Sequence, residues 1–450
     1  MKRFPISRTA VLLAFSGLAV APAALAGSFY IQEQSVSSLG AANAGQNAVG
    51  FDATTVYTNP AGMTNLTRSQ FSAGGNLLLL SSKLKNDGSY AQLPTALGGA
   101  RVPVTGKDNE DSFDPAIVPN LYGVWVVNDD VRLGMGINAP FGLVNKYDNG
   151  FFGRYDSQKS KLETLNISLT GAYKVSSKFS IGGGIDIQRA GTTLSTAVPA
   201  VAGLSGLSAA QSQAYLASIG GVAGLYNVNT DSLFTVKADG WAVGANLGLT
   251  WKPVDELTIG LTYRSRIKHT VEGDLTIARG ASISRSGPAE ISVTTPDIVG
   301  LGAAWQVNPK WTLLAQANYF HWSNFDKIDV KSNGTTFSVE QQDYRNSYSV
   351  ALGVNYKWSD ALTLRAGTQF DRTPTVDKHR STRVPDNDRV WLALGASYDL
   401  TDNISVDAAY AHVFVDDVKV DVTKSTGARV KATLTDGSVD IMSVALRYKF

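Results

Sequence analysis

The strongest constraint on the fold is an alternation of apolar and polar residues with a period of two. It is clearest at the end of the chain, where Met442, Val444, Leu446, Tyr448 and Phe450 are apolar and the residues between them are small or charged. Successive side chains of a strand point to opposite faces, so such a segment offers one face to lipid or a core and the other to water. One such segment also fits a soluble β-sandwich, and only repetition separates the two interpretations.

The alternation recurs in about fourteen segments, and aromatic residues lie at the ends of their apolar faces. The segments are 69–80, 120–127, 131–138, 162–173, 179–188, 241–251, 257–268, 291–307, 311–319, 347–356, 362–367, 390–398, 404–410 and 442–450. An even strand number, apolar bands of ~10 residues and interfacial aromatics are typical of bacterial membrane barrels. The pattern predicts an all-β fold, a fourteen-stranded antiparallel transmembrane β-barrel.

The connections between these segments alternate strictly in length. Turns of a few residues alternate with long loops at 81–114, 146–160, 191–231, 270–290, 326–343, 372–386 and 416–431. Outer-membrane barrels have short periplasmic turns and long external loops. We therefore expect the short turns on the periplasmic side.

The N-terminus does not follow the alternation. Lys2, Arg3 and Arg8 flank an apolar run that ends in Ala24-Leu25-Ala26, which predicts a signal peptide over residues 1–26 that is cleaved before Gly27. Residues 27–67 are rich in small side chains and contain the turn signal Asn59-Pro60-Ala61-Gly62. We expect this segment to be a compact plug, or hatch, inside a barrel formed by residues 68–450.

Several function classes find no support in the composition. The chain has no cysteine, a net charge of +2 and no later apolar run of the ~18 residues that a helical membrane span needs. The four histidines, His269, His321, His379 and His412, lack a metal-ligand spacing, and no G-x-S-x-G nucleophile motif is present. We expect neither an enzyme nor a cofactor, metal or nucleic-acid partner, and the histidines should lie in girdles or loops.

Basic residues on inward faces are candidates for binding an anionic head group. By parity with their strands, these are Arg345, Arg365 and Arg389, and Arg264, Arg266 and Lys268 share another inward face. The alternative is that each pairs with a carboxylate of the plug or wall, such as Glu33, Asp52, Asp371 or Asp407. Arg189 is in phase with an outward face and should not reach the lumen.

Two further segments point to an apolar cargo. The loop 192–225 carries Leu204, Leu207 and Leu216 with no charged residue, and Phe151-Phe152 lies in its expected neighbour. Together they could form a surface groove, or the two loops could simply pack on each other. In Asn138-Ala139-Pro140-Phe141-Gly142, proline removes a ladder donor, so strand pairing should fail. This is either an opening toward lipid, a lateral gate, or an ordinary strand end.

Six motifs in order resemble the FadL-type outer-membrane long-chain fatty acid transporters, a family that includes aromatic-hydrocarbon channels. They are Asn59-Pro60-Ala61, NAPFGL (138–143), GRYDS (153–157), LTYRSRIK (261–268), Trp322-Ser323 and PDNDRVWLALG (385–395). The resemblance implies a fourteen-stranded barrel with an N-terminal hatch, an interior acyl-chain pocket and a kinked third strand that opens sideways.

The resemblance also implies the function. We expect passive, ligand-gated uptake of long-chain fatty acids or similar hydrophobic molecules across a Gram-negative outer membrane. Binding would move the end of the hatch at Gly27, Ser28, Phe29 and Tyr30. Partners would be the fatty acid, outer-membrane lipid and lipopolysaccharide, with the protein a monomer. The alternatives are a channel for small aromatic hydrocarbons and a non-transporting adhesin or structural barrel.

Overall fold

The computed structural model describes residues 28–104, 106–110 and 114–450, so the predicted signal peptide and Gly27 lie outside it. Within these ranges the chain forms fourteen antiparallel barrel strands, several of them in two pieces. They are β1 Gln70–Asn86, β2 Ala116–Val126, β3 Val131–Asn138 and Gly142–Lys146, β4 Lys159–Lys174, β5 Phe179–Val198, β6 Ser232–Val254, β7 Leu257–Arg264 and Lys268–Arg279, β8 Ser282–Thr294 and Asp297–Gln306, β9 Trp311–His321 and Lys327–Ser332, β10 Thr335–Gln341 and Ser347–Lys357, β11 Leu362–Asp371, β12 Arg389–Asp399, β13 Ile404–Val415 and Val418–Thr423, and β14 Ala428–Lys449.

The sheet closes on itself because β1 pairs with the last strand, β14, as well as with the second strand, β2. It pairs with β14 from Gln70/Lys449 to Asn86/Ala432, and with β2 on its other edge. Closure satisfies backbone groups that an open edge would leave unpaired in lipid. The predicted fourteen-stranded antiparallel barrel is confirmed. No helix within the described residues is long and apolar enough to span a membrane.

The outer face is apolar where the strands would contact lipid. On β14, the outward Val444 and Leu446 are 60% and 50% exposed, whereas the inward Ser443 and Ala445 are buried. Exposed aromatic rings form one girdle near the short turns and a second girdle farther from these turns along the strands. The first includes Trp125, Tyr173, Trp251, Trp305, Trp311, Trp358, Tyr398 and Tyr448, and the second Trp241, Tyr319, Tyr348 and Tyr410. Both girdles fit the two interfaces of a membrane.

Residues 28–67 fill the lumen near the short turns as a series of short helices, which we call the hatch. They are α1 Val36–Leu39, α2 Thr55–Thr58 and a 3-10 helix at Pro60–Asn65. Asn59 caps the last of these, since its side chain accepts a hydrogen bond from the Ala61 N–H and Pro60 occupies the first turn. Its amide also donates to the Asn47 carbonyl and to the Leu249 carbonyl of β6. The motif therefore anchors the hatch to the wall.

The wall approaches the hatch through glycines that face inward. A Cβ atom at any of these positions would lie less than 3 Å from hatch backbone: Gly182, Gly260, Gly353, Gly367 and Gly395. Real Cβ atoms essentially never come this close to another heavy atom. The hatch backbone consequently packs directly against wall backbone on several strands.

The predicted long loops are partly wrong, because several strands continue beyond the lipid-facing band. The predicted loop 270–290 is a hairpin of β7 and β8, and 326–343 is a hairpin of β9 and β10. On β7, Val271 and Leu275 are buried inward while Glu272 and Asp274 are exposed outward. The apolar face thus changes from outward to inward at the membrane boundary, which hid the alternation. The predicted loop 191–231 is strand up to Val198 and contains helix α3, Ala209–Ser218.

A second irregular segment enters the lumen from the external side. Residues 372–388 connect β11 and β12, and most of them are buried inside the barrel, although the loop 372–386 is predicted to lie outside it. Thr382 and Asp386 are fully buried and Arg383 is 3% exposed. We call this segment the inner loop. It lies on the opposite side of the lumen from the short turns that flank the hatch.

Candidate substrate chamber and lateral gate

Between the hatch and the inner loop the lumen is apolar. A small cavity there, of about 40 Å³, is lined mainly by Phe29, Leu143, Leu162, Leu194, Ile291, Val293, Phe325, Ile328 and Val384. These side chains belong to one large buried cluster contributed by the hatch, the strands and the inner loop. A volume of this size admits only a few water molecules, so a larger ligand must displace lining side chains. The cavity lining is mainly apolar, unlike the polar, water-filled lumen of a porin. We call this cavity the chamber, and its lining suits an apolar ligand.

The roof of the chamber carries the positive charge of Arg383. Its guanidinium donates to Ser160 Oγ at 3.0 Å, the Asp156 carbonyl at 2.9 Å and Thr196 Oγ1 at 2.9 Å. Its Nε is buried and has no acceptor among the described residues. Arg383 therefore lines an apolar cavity with its Nε donor unused.

Asp156 holds the roof in place. Its carboxylate accepts hydrogen bonds from the Thr382 N–H and hydroxyl, both at 2.7 Å, and forms an ion pair with Lys424 at 3.2 Å. Burial alone would raise the pKa of Asp156, but Lys424 and Arg383 lower it below its usual value. The carboxylate thus stays ionised and keeps the inner loop docked.

The floor of the chamber is aromatic and comes from the first described residues of the hatch. The Phe29 ring meets Trp322 edge-on with centroids 4.7 Å apart and Phe325 at 5.3 Å. Tyr30 lies 5.4 Å from the Phe141 ring. The residue before them is tethered, since the Ser28 N–H donates to Asp386 Oδ2 at 3.1 Å and the Ser28 hydroxyl to Tyr344 Oη at 2.9 Å. The N-terminal end of the hatch is therefore hydrogen-bonded to the inner loop.

The wall beside this floor has a gap in its strand pairing. β2 pairs with the first piece of β3 from Val126/Arg132 to Leu121/Ile137, and the second piece, Gly142–Lys146, pairs with β4 alone among the described residues. Between the two pieces, Asn138 to Leu143 are all buried, so the chain bends into the lumen. Pro140 supplies no N–H for a ladder there. This bend is the predicted break, and we call it the gate.

The hatch takes the place of a strand partner at the gate. The Ile31 N–H donates to the Pro140 carbonyl at 2.8 Å, and the Gly142 N–H donates to the Phe29 carbonyl at 2.9 Å. Gln34 Nε2 adds a bond to the Ala139 carbonyl at 3.1 Å. Phe29 thus faces the chamber with its ring and holds the gate with its carbonyl.

Comparison with known proteins identifies the family. Residues 17–450 match the family model described as outer membrane protein transport protein (OMPP1/FadL/TodX). The chain belongs to this family. It is 32% identical to Outer membrane protein P1 of Haemophilus influenzae, over 96% of this chain and 95% of that relative. It is 28% identical to the Long-chain fatty acid transport protein of Escherichia coli O6:H1, over 97% and 98% of the two chains.

A solved structure agrees with the OMPP1/FadL/TodX assignment. The crystal structure of a Pseudomonas aeruginosa FadL homologue matches with a TM-score of 0.83 at 25% identity, over 94% of this chain and 100% of that chain. The protein is accordingly a Gram-negative outer-membrane β-barrel of a family of channels for hydrophobic substrates.

The three arginines predicted from parity do not line the chamber of this FadL-type barrel. Arg389 is fully buried and paired with Asp371 at 3.4 Å and Asp386 at 2.5 Å. Arg365 donates to Ser397 Oγ at 2.6 Å beside the hatch. Arg345 has an exposed side chain that bonds the Thr373 carbonyl at 3.1 Å. For Arg389, the carboxylate-pairing alternative describes the geometry better.

The predicted surface groove of Phe151, Phe152, Leu204, Leu207 and Leu216 is wrong in the structure. Phe151 and Phe152 are fully buried, and Phe151 stacks on Tyr147 at 4.1 Å, in a cluster separate from the one against which Leu204 and Leu216 pack. Leu207 is partly exposed. These residues therefore form no common surface groove. The two loops instead pack on each other through Tyr155, whose ring meets Tyr226 edge-on with centroids 5.8 Å apart, as the alternative prediction had it.

The predicted inward face of Arg264, Arg266 and Lys268 holds for Arg264, which pairs with Asp186. β7 is interrupted at Ser265–Ile267, so Ile267 points inward and Lys268 outward. The same change of phase buries His269, against the expectation of a girdle or loop position. The other three histidines are partly exposed and pair with Asp297, Asp343 and Asp440.

Sequence reasoning missed the roof and floor of the chamber. Arg383 lies in a segment predicted to be an external loop, and Phe325 lies in the break between the two pieces of β9. The sequence does carry a signal for the contacts between hatch and wall. Glycines in phase with the inward faces of the strands mark places where another backbone approaches closely.

Proposed function

We propose that this protein takes up long-chain fatty acids by passive, ligand-gated diffusion and releases them sideways into the outer membrane. The acyl chain enters the chamber beneath the inner loop, displaces the floor at Phe29, and leaves through the gate at Pro140. Sideways exit keeps the chain out of periplasmic water, where each exposed CH₂ costs ~0.8 kcal/mol. Outer-membrane lipid and lipopolysaccharide surround the barrel, which acts as a monomer.

The observation that carries this proposal is the double role of Phe29. Its ring lines the chamber and its carbonyl accepts the Gly142 N–H of the gate. A ligand that displaces the ring also strains this hydrogen bond, so binding and gate opening share one residue. In this mechanism the segment Gly27–Tyr30 is the moving end of the hatch. The motif Asn59-Pro60-Ala61 is its fixed end.

Arg383 is the residue that we propose for the carboxylate head group. It lines the chamber, carries a charge and has an unused Nε donor. Bonds from a guanidinium to a carboxylate are stronger than neutral hydrogen bonds. We prefer Arg383 to Arg345, Arg365 and Arg389, which lie outside the chamber lining.

Uptake of small aromatic hydrocarbons is the second candidate. It is favoured by the aromatic floor, where Phe29, Trp322, Phe325 and Tyr344 meet edge-to-face. In that case Arg383 serves only to hold the inner loop. An uncharged hydrocarbon that binds as tightly as a fatty acid would favour this function.

Uptake of labelled oleate into cells that lack their own transporter tests the proposal. We expect uptake with this protein, and none when Gly142→Phe obstructs the gate while the barrel remains folded. Gly150→Phe is the matched control, because a side chain at this position meets open space. Correct insertion without any uptake would instead favour a non-transporting adhesin or structural barrel.

A further inference from the structure

His269 is a buried histidine on the inward face of β7, directly across from the chamber-lining Val293 of β8. It is 1% exposed, and its neighbours on the same face, Val271 along β7 and Val293 across on β8, belong to the apolar cluster of the chamber. The adjoining Lys268 and Thr270 are exposed. This part of β7 lies close to the level of Trp241 in the second girdle. Val293 lines the cavity itself, and paired residues of antiparallel strands lie only ~4.5–5.5 Å apart.

A chain of buried amides leads from the gate to this histidine. Gln34 Nε2 donates to two backbone carbonyls, Ile31 at 2.8 Å and Ala139 at 3.1 Å. Carbonyls only accept, so the Gln34 amide is oriented with its Oε1 toward Asn138, whose Nδ2 donates to it at 2.7 Å. Asn138 Oδ1 then accepts from Asn166 Nδ2 at 3.1 Å.

The same order of donors and acceptors continues along the amides to the His269 ring. Asn166 Oδ1 accepts from Gln188 Nε2 at 3.4 Å, which leaves Gln188 Oε1 facing His269 Nε2 at 2.9 Å. His269 Nε2 must therefore carry the hydrogen, and Nδ1 is left as an acceptor. Nδ1 is buried and has no donor among the described residues.

We propose that His269 Nδ1 accepts a hydrogen bond from the head group of the ligand, and that it selects amphiphiles with a neutral O–H group. This rests on the proposed binding function of the chamber. The class comprises long-chain alcohols and the protonated form of a fatty acid. A carboxylate or an ester has no hydrogen to donate, and an apolar site favours the neutral form of an acid.

Arg383 and His269 would then contact head groups at different depths. Arg383 bonds Thr196 of β5, while His269 bonds Gln188 of the same strand, eight residues nearer the short turns. The anionic head group belongs to the roof and the neutral one to the lower wall.

The test compares 1-dodecanol with its methyl ether, which keeps the oxygen but lacks the donor hydrogen. Each ligand competes with a fluorescent fatty acid on the purified barrel in one detergent. We expect the wild type to prefer the alcohol about tenfold more than His269→Leu does, which corresponds to ~1.4 kcal/mol. His412→Leu is the matched control, because His412 bonds Asp440 and its cross-strand partners, Leu392 and Asp440, lie outside the chamber cluster. An unchanged preference in His269→Leu would overturn the proposal.

A second measurement needs no variant. In protein labelled with ¹⁵N-histidine, the His269 Nδ1 signal should move upfield with the alcohol and stay in place with the ether. A signal unaffected by bound alcohol would overturn the assignment. Failure of both ligands to displace the fluorescent acid would instead count against the chamber as a binding site, so the two failures are distinguishable.

Discussion

The tight contact between hatch and wall can be tested at Gly367. A Cβ atom there would lie 2.1 Å from the Ala41 oxygen and 2.4 Å from its carbonyl carbon. Both neighbours are backbone atoms, so relief requires the hatch to move by about 1 Å relative to β11, and overpacking of this kind costs ~1–3 kcal/mol. We expect Gly367→Ala to lower the free energy of unfolding by about 3 kcal/mol, the upper end of this range.

The matched control is Gly171→Ala. Its Cβ would meet its nearest neighbours at 3.9 Å, an ordinary contact, so its stability should stay within ~0.5 kcal/mol of the wild type. Denaturant unfolding in lipid vesicles, followed by tryptophan fluorescence, measures both variants.

Labelling of the hatch gives a second readout. Because the chain has no cysteine, Ser38→Cys places a single probe on the buried hatch, and maleimide should label it faster in the Gly367→Ala background. Equal stability and equal labelling in the two glycine variants would refute close backbone packing as the constraint on the hatch.

Three further predictions follow from single side chains. Arg383→Gln should weaken oleate binding by about 10- to 100-fold and leave methyl oleate unchanged, because a hydrogen bond to a charged group contributes ~1.5–3 kcal/mol; equal losses for both ligands would contradict its role as head-group ligand. Burial raises the pKa of Glu33 to about 7, so the folded protein binds a proton that the unfolded chain releases, and stability should fall as pH rises from ~4.5 to ~7. Glu33→Gln should flatten that dependence in denaturant titrations at several pH values, and an unchanged slope would contradict it. Asn59→Ala removes a helix cap and should cost ~1–2 kcal/mol of stability in the same assay, whereas no loss would argue against the anchor.

The lipid-facing part of the barrel was predictable because lipid imposes a simple rule on it. On β14 every outward residue from Met442 to Phe450 is apolar, so the period of two is visible without knowledge of the partner strands. Beyond the membrane the pattern is reversed, and polar residues such as Glu272 and Asp274 on β7 face outward. Water on the outer face and the chamber inside give the opposite pattern there, and these segments were mistaken for loops.

The chamber could not be predicted because its lining is assembled from distant parts of the chain. Phe29, Val293, Phe325 and Arg383 belong to the hatch, β8, the break in β9 and the inner loop. No local pattern links them. The gate was predictable only as a break at Pro140, and its hydrogen bonds to Phe29 and Ile31 depend on where the hatch lies.

The central claim is that cargo leaves through the gate while the hatch stays in the barrel. A disulfide between hatch and wall tests it most directly. The hydroxyls of Thr64 on the hatch and Ser180 on β5 lie 2.8 Å apart, so Thr64→Cys with Ser180→Cys should form a bridge. Lateral exit predicts that oleate uptake by the oxidised double variant equals that of its reduced form, whereas Gly142→Phe abolishes uptake. Uptake that is lost on oxidation and restored by a reductant would contradict lateral exit and show that the hatch itself must move aside.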